Sequence, residues 1–174
     1  IHIHAAEQTA EVDDCVAATG ARPIEWLARE GLIDGRWQLV HATHTLPQEI
    51  AAVARSGAGI VLCPTTEANL GDGLPDLAGW LASDVPITIG SDSHVTRDWR
   101  EELRWLEYGQ RLMLRQRNVA AQPSTQPATA VRLWQRVQEN DAPGSRRSDH
   151  PRHDRRGSRS PPVLGIDVPE HDLP

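Results

Sequence analysis

The sequence predicts an α/β fold in which a parallel sheet of four strands, each followed by helix, forms half of a closed eight-unit β/α barrel. Three observations support this. Short apolar segments of strand length alternate with longer segments of helical spacing along the first 120 or so positions. The third and fourth strand segments are apolar throughout, as expected when both faces of a parallel strand are covered. The imidazoles and carboxylates stand just after the strands, which is where the active site of such a barrel assembles. A closed barrel takes roughly 250 residues, so four units match half of one. An open doubly wound sheet is the rival, but no glycine-rich phosphate turn follows the first strand.

The elements follow in order. Ile1 to His4 reads as a strand, Thr9 to Ala18 and Pro23 to Glu30 as helices stopped near Gly31, and Trp37 to His41 as the second strand. Thr45-Leu46-Pro47-Gln48 predicts a helix start. Thr45 is the expected cap, Pro47 sits in the first turn at no cost in hydrogen bonds, and Gln48 completes a capping box. Ile50, Val53 and Ala54 form the helical stripe and Gly57 the stop. Gly59 to Cys63 is the third strand, Asp76 to Ala82 a short helix, and Pro86 to Gly90 the fourth strand. Asp98 to Arg117 predicts a long helix with Trp99, Leu103, Leu106 and Met113 on one side.

Composition narrows the function classes. With 18 basic residues against 24 acidic ones, the net charge of −6 argues against nucleic-acid and anionic-membrane partners. No apolar run is long enough to span a bilayer. Two cysteines, Cys15 and Cys63, make no disulfide framework, so a reducing, cytoplasmic compartment is expected. The chain divides near residue 140: residues 1–140 hold the whole negative balance, whereas residues 141–174 are neutral and rich in Pro, Gly, Ser and Arg. This tail lacks periodicity and is expected to be disordered or the product of a reading-frame error. A nucleic-acid arm is the rival reading of its Arg146 to Arg159 cluster, and it is disfavoured because Asp149 and Asp154 interrupt the cluster and no aromatics interleave.

His4 ends the first strand with Glu7 three residues on, and His41 ends the second with His44 three residues on. Cys63-Pro64-Thr65-Thr66-Glu67 follows the third strand and Ser91-Asp92-Ser93-His94 the fourth. One strand-end histidine is commonly structural, but two with an aspartate on successive strands point to a divalent ion such as zinc. His2 shares the strand face of His4, so the pair is either a chelate or a packed interior residue beside a ligand. Cys63 reads as a small buried residue.

On these residues the chain resembles the amidohydrolase superfamily of metal-dependent deaminases. The general marks are His2-Ile3-His4-Ala5-Ala6-Glu7-Gln8, Leu39-Val40-His41-Ala42-Thr43-His44 and Gly90-Ser91-Asp92-Ser93-His94. The run from Cys63 to Gly73 and the helix Glu101 to Gln110 are similar to the formimidoylglutamate deiminases within it. The resemblance covers about residues 1–120. It implies that the four strands are the fifth to eighth of a TIM (β/α)8 barrel and that one zinc ion is bound. His4 and Asp92 would be metal ligands, Glu7 the proton shuttle, and His41 the group that faces the reacting carbon. Asp92 would also accept the proton of the attacking water. The implied substrate is N-formimidoyl-L-glutamate, and the implied reaction is its deimination to N-formyl-L-glutamate and ammonia in histidine degradation.

The resemblance also implies a His-x-His pair on a first barrel strand, which this sequence does not contain. Ile1 to His4 could itself be that strand, but Ala5-Ala6-Glu7-Gln8 and the spacing to His41 and Asp92 favour the fifth. The remaining ligands and the substrate-carboxylate contacts are therefore expected from outside this chain, which on its own is expected to be inactive. A homodimer is left open for the complete protein. Two alternatives stand beside the deiminase: a guanine- or cytosine-type deaminase of the same superfamily, and a non-catalytic α/β fragment.

Overall fold

The structure is a computed structural model, and it describes residues 1–121 other than 84, 94 and 95. The division near residue 140, the expected disordered tail and His94 lie outside the described residues. Among the described residues four strands form one parallel sheet: β1 (His2–Ala5), β2 (Gln38–His41), β3 (Gly59–Leu62) and β4 (Ile87–Ile89). Six helices accompany them: α1 (Thr9–Thr19), α2 (Pro23–Arg29), α3 (Pro47–Ser56), α4 (Pro64–Leu70), α5 (Leu77–Ala82) and α6 (Trp99–Leu114).

The strands lie in the order β1-β2-β3-β4, so every crossover leads to the next neighbour. Right-handed crossovers that keep stepping in one direction put all helices on one side of the sheet. That is the winding of a barrel, and it lacks the reversal of strand order that a doubly wound sheet needs. The register makes the covered side visible. Ile3, Leu39, Ile60 and Ile87 form one continuous row across the sheet. Leu39 and Ile60 are fully buried, and the row packs with Ile24, Val53, Leu77, Trp80 and Leu106 from the helices. The alternate row, His4, Val40, Val61 and Thr88, faces the side that a closed barrel would enclose.

Strand positions and most helix limits follow the sequence-based expectation to within one or two residues, but three details differ. The start of α3 is capped neither by Thr45 nor by Gln48. The N-cap is Leu46, whose N–H donates to the Glu49 carboxylate at 2.9 Å, while the Thr45 hydroxyl donates to the Ala42 carbonyl. Glu49 wins because it is buried and also receives Arg22 Nε at 2.9 Å, which ties the start of α3 to the start of α2. Gly57 ends α3 as expected, in the left-handed conformation with φ 75°.

The second difference is α4, a seven-residue helix that begins directly after β3 and is too short to show a period. The third concerns α6. Leu103 and Leu106 are buried, but Trp99 and Met113 are exposed at 38% and 48%. The inward face runs instead through Glu102, Leu103, Leu106, Glu107, Gly109 and Gln110. A helix of this length measures about 24 Å, against roughly 10 Å for a three-residue strand, so its end turns overhang β4. Gly109 faces Leu74 so closely that a Cβ would stand 2.5 Å from its Cδ2. Buried polar groups of this face are held from outside the helix: Gln110 Nε2 donates to the Pro75 carbonyl, while its Oε1 has no partner, and Glu107 accepts from the backbone of Val119 and Ala120.

Candidate functional site

The carboxyl ends of β1, β2 and β4 turn by the same device. Ala6, His41, Ala42 and Asp92 all have positive φ, at 55°, 72°, 50° and 43°. Each non-glycine residue held there costs about 1–2 kcal/mol, and such strain collects where a side chain must be aimed. At His41 the aim is evident. Strict alternation would send its side chain with Ala5 and Leu39 toward the helices. The left-handed turn brings the ring instead against His4 on the opposite row, stacked with centroids 5.2 Å apart and planes at 24°.

His4, His41 and Asp92 each present a ligand atom, and these atoms all lie within 4.8 Å of one another. The three residues that the sequence reading set at successive strand ends therefore converge. Glu7 joins them: His41 Nε2 lies 3.4 Å from Glu7 Oε1 and 3.6 Å from Asp92 Oδ2. His41 is wholly buried, whereas Glu7 and Asp92 keep part of their surface. Burial works against a charged His41 imidazole. The Glu67 hydrogen bond and the charges of Glu7, Glu67 and Asp92 outweigh it, and the pKa lies above its ordinary 6.5.

Other residues of the sequence-based set stand apart. Neither His2 nor His44 enters the cluster. His44 instead joins the strand ends, its backbone N–H donating to the Ala6 carbonyl at 2.9 Å. Cys63 is buried, and its thiol is pushed up to about 12 by burial and by the carboxylates of Glu67, Asp92 and Glu102. That matches a small packed residue and not a ligating thiolate.

Three supporting residues carry no role in the sequence-based expectation, although Thr66 and Glu67 lie in the Cys63 to Glu67 run singled out there. Glu11, on α1, accepts from the backbone N–H groups of Ala6 and Glu7, both at 2.8 Å, and so fixes the turn that carries Glu7. Thr66, on α4, holds the turn that carries Asp92. Its hydroxyl donates to the Ser91 carbonyl at 3.2 Å, accepts from Ser93 N–H at 3.3 Å and meets Ser93 Oγ at 3.0 Å. Glu67, the next residue, lies 3.3 Å from His41 Nδ1. The local signals available for them were the acidic pair Glu7 and Glu11, four residues apart, and the Cys63 to Glu67 run after the third strand.

The donor set fits a borderline metal ion: two imidazoles and a carboxylate at the rim of a strand layer. His41 Nε2 adds an independent mark, since it is buried with no hydrogen-bond partner although it faces two carboxylates at 3.4 and 3.6 Å. A polar group placed or polarised at that point would satisfy it.

Comparison with known proteins agrees with this geometry. The chain matches the amidohydrolase family over residues 1–137. It is 58% identical over 118 residues to formimidoylglutamate deiminase of Pseudomonas aeruginosa, a match covering 68% of this chain and 26% of that protein. The crystal structure of an amidohydrolase from Brucella melitensis superposes with a TM-score of 0.74 and 46% identity, covering 78% of this chain and 30% of that one. A zinc-bound adenosine deaminase from Xanthomonas campestris gives a TM-score of 0.64 and 26% identity, covering 80% and 33% of the two chains. The chain thus spans between a quarter and a third of the length of these three relatives. By sequence, by the winding of its sheet and by the groups at its strand ends, the chain belongs to the amidohydrolase family.

Proposed function

We propose that this chain supplies the strand-five to strand-eight side of the active site of a zinc-dependent formimidoylglutamate deiminase. The complete protein would convert N-formimidoyl-L-glutamate to N-formyl-L-glutamate and ammonia, a step of histidine breakdown. The observation that carries this reading is the 58% identity to a formimidoylglutamate deiminase over 118 residues, a stretch long enough to include His4, Glu7, His41 and Asp92. Unpaired cysteines suit a cytoplasmic enzyme.

Zinc, held here by His4 and Asp92 and elsewhere by residues outside this chain, would supply a water activated at neutral pH. The rest of the chemistry falls to the side chains. Water oxygen bonds to the amidine carbon, and the carbon–nitrogen bond to the terminal nitrogen breaks. Both water hydrogens end on that nitrogen, which leaves as ammonia. Asp92 would take a proton from the water, and Glu7 would hand one to the departing nitrogen, so that no amide anion has to leave. His41 Nε2 points between them and can stabilise charge at the carbon as it becomes tetrahedral.

Ammonia release by the complete gene product tests this. Turnover of N-formimidoyl-L-glutamate, with guanine and cytosine inert, is the expected result. Preference for a ring substrate would move the chain to another deaminase of the family, and no turnover of any of them would remove the reading.

A further inference from the structure

We infer that Glu67 is a positioning residue whose carboxylate holds the Nδ1–H of His41 and thereby aims Nε2 at the point where Glu7 and Asp92 meet. The inference rests on the active-site reading above and adds to it a residue from α4, the helix after β3, whose strand end contributes neither a ligand nor a proton there.

The geometry is specific. Glu67 Oε1 lies 3.3 Å from His41 Nδ1 and accepts Cys63 N–H at 3.0 Å. Both side chains are buried, at 1% and 0% exposure. A carboxylate with only a helix start to support would gain little from such burial, since removing a charge from water is costly and a neutral oxygen could accept the Cys63 N–H equally well. Moreover Glu67 Oε2 is buried without a hydrogen-bond partner. What the charge adds is a strong acceptor for an imidazole N–H across 26 residues of chain.

His41 needs such a partner. Its left-handed backbone sets the ring position but not its flip, and the stack on His4 fixes the ring plane while leaving a half-turn about the Cβ–Cγ bond open. An ionised carboxylate only accepts, so in this contact Nδ1 carries the proton and Nε2 becomes the nitrogen presented to the site. Carboxylate–imidazole pairs of this kind fix ring orientation and tautomer elsewhere in proteins.

The test uses the complete gene product, labelled with [15N]histidine, with His41 signals assigned through His41→Asn. Glu67→Gln keeps an oxygen for Cys63 N–H and removes the charge. We expect the His41 ring nitrogen resonances to move in Glu67→Gln, and turnover to fall by about 10- to 100-fold, the usual effect of losing such a partner. KM and bound metal should stay close to wild type. Unmoved His41 resonances, or moved resonances with unchanged turnover, would overturn the inference and leave Glu67 as a support for α4 alone. Should the wild-type protein fail to act on N-formimidoyl-L-glutamate, the functional reading falls, while the nitrogen resonances still decide whether Glu67 sets the His41 ring. Glu67→Ala, which also drops the Cys63 bond, is expected to be worse than Glu67→Gln in both readouts; equal or milder effects would count against the inference.

Discussion

Replacing Thr66 by valine removes one hydroxyl, keeps the volume and leaves His4, His41 and Asp92 themselves untouched. The hydroxyl makes three contacts to the Ser91–Ser93 turn, at 3.0 to 3.3 Å. A net hydrogen bond is worth about 0.5–1.5 kcal/mol. Ser93 is exposed and recovers much of its loss from water, so the whole change comes to about 1–2 kcal/mol. That matches the roughly 1–2 kcal/mol by which a non-glycine residue resists the left-handed conformation, here held by Asp92 at φ 43°. Without the hydroxyl the turn can relax and carry the Asp92 carboxylate away from His4 and His41. If the loss falls mainly on the bound state, metal affinity drops by about 5- to 30-fold. Competition of the complete gene product against a chromophoric zinc chelator reads this directly. Thr66→Ser keeps the hydroxyl and should bind like wild type. Equal affinity of Thr66→Val and wild type, with both folded, would refute the view that α4 holds the Asp92 turn, as would a Thr66→Ser variant as weak as Thr66→Val.

Glu7→Gln should retain zinc and lose turnover, measured by metal analysis beside ammonia release; a wild-type rate would show that another group moves the proton. Cys63, with its thiol pushed up to about 12 and its side chain buried, should resist a disulfide reagent near neutral pH, while Cys15 reacts. One thiol titrated in the native chain and two after denaturation is the expected count, and two fast native thiols would contradict it. Glu102 is buried, and burial raises its pKa above 4.5 despite the Thr65 hydrogen bonds. A raised carboxyl favours folding while protonated, so its contribution is present below the unfolded value and is lost as pH rises through the folded one. Denaturation midpoints of Glu102→Gln should therefore lack part of the decline that wild type shows above about pH 4.5; parallel profiles would place the charge of Glu102 in a well-solvated setting.

The fold and the principal candidate residues were legible because their signals are local. Apolar strand segments such as Gly59 to Leu62 and helical stripes such as Ile50 and Val53 are properties of a few neighbouring residues. His4, His41 and Asp92 announced themselves by chemistry and by following strands, and barrel winding alone brings strand ends to one rim. The same sequence could not show that the His41 ring crosses from the helix-facing row to the opposite one. That depends on a backbone of positive φ, which no non-glycine residue advertises. Nor could it rank Glu49 above Thr45 as the support of α3, because Glu49 is held in place by Arg22 from another helix.

Glu11, Thr66 and Glu67 lie at the far end of this scale. Glu67 meets His41 across 26 residues and Thr66 meets Ser93 across 27, distances that exist only once β2, β3 and β4 are in register. By itself, then, the sequence determined the element pattern, the barrel-type winding and the groups that could do chemistry, since each is written in residue type and spacing. Their orientation was decided by the tertiary structure, because hydrogen bonds between distant segments and the strained turns they hold arise only from the packed arrangement of the whole.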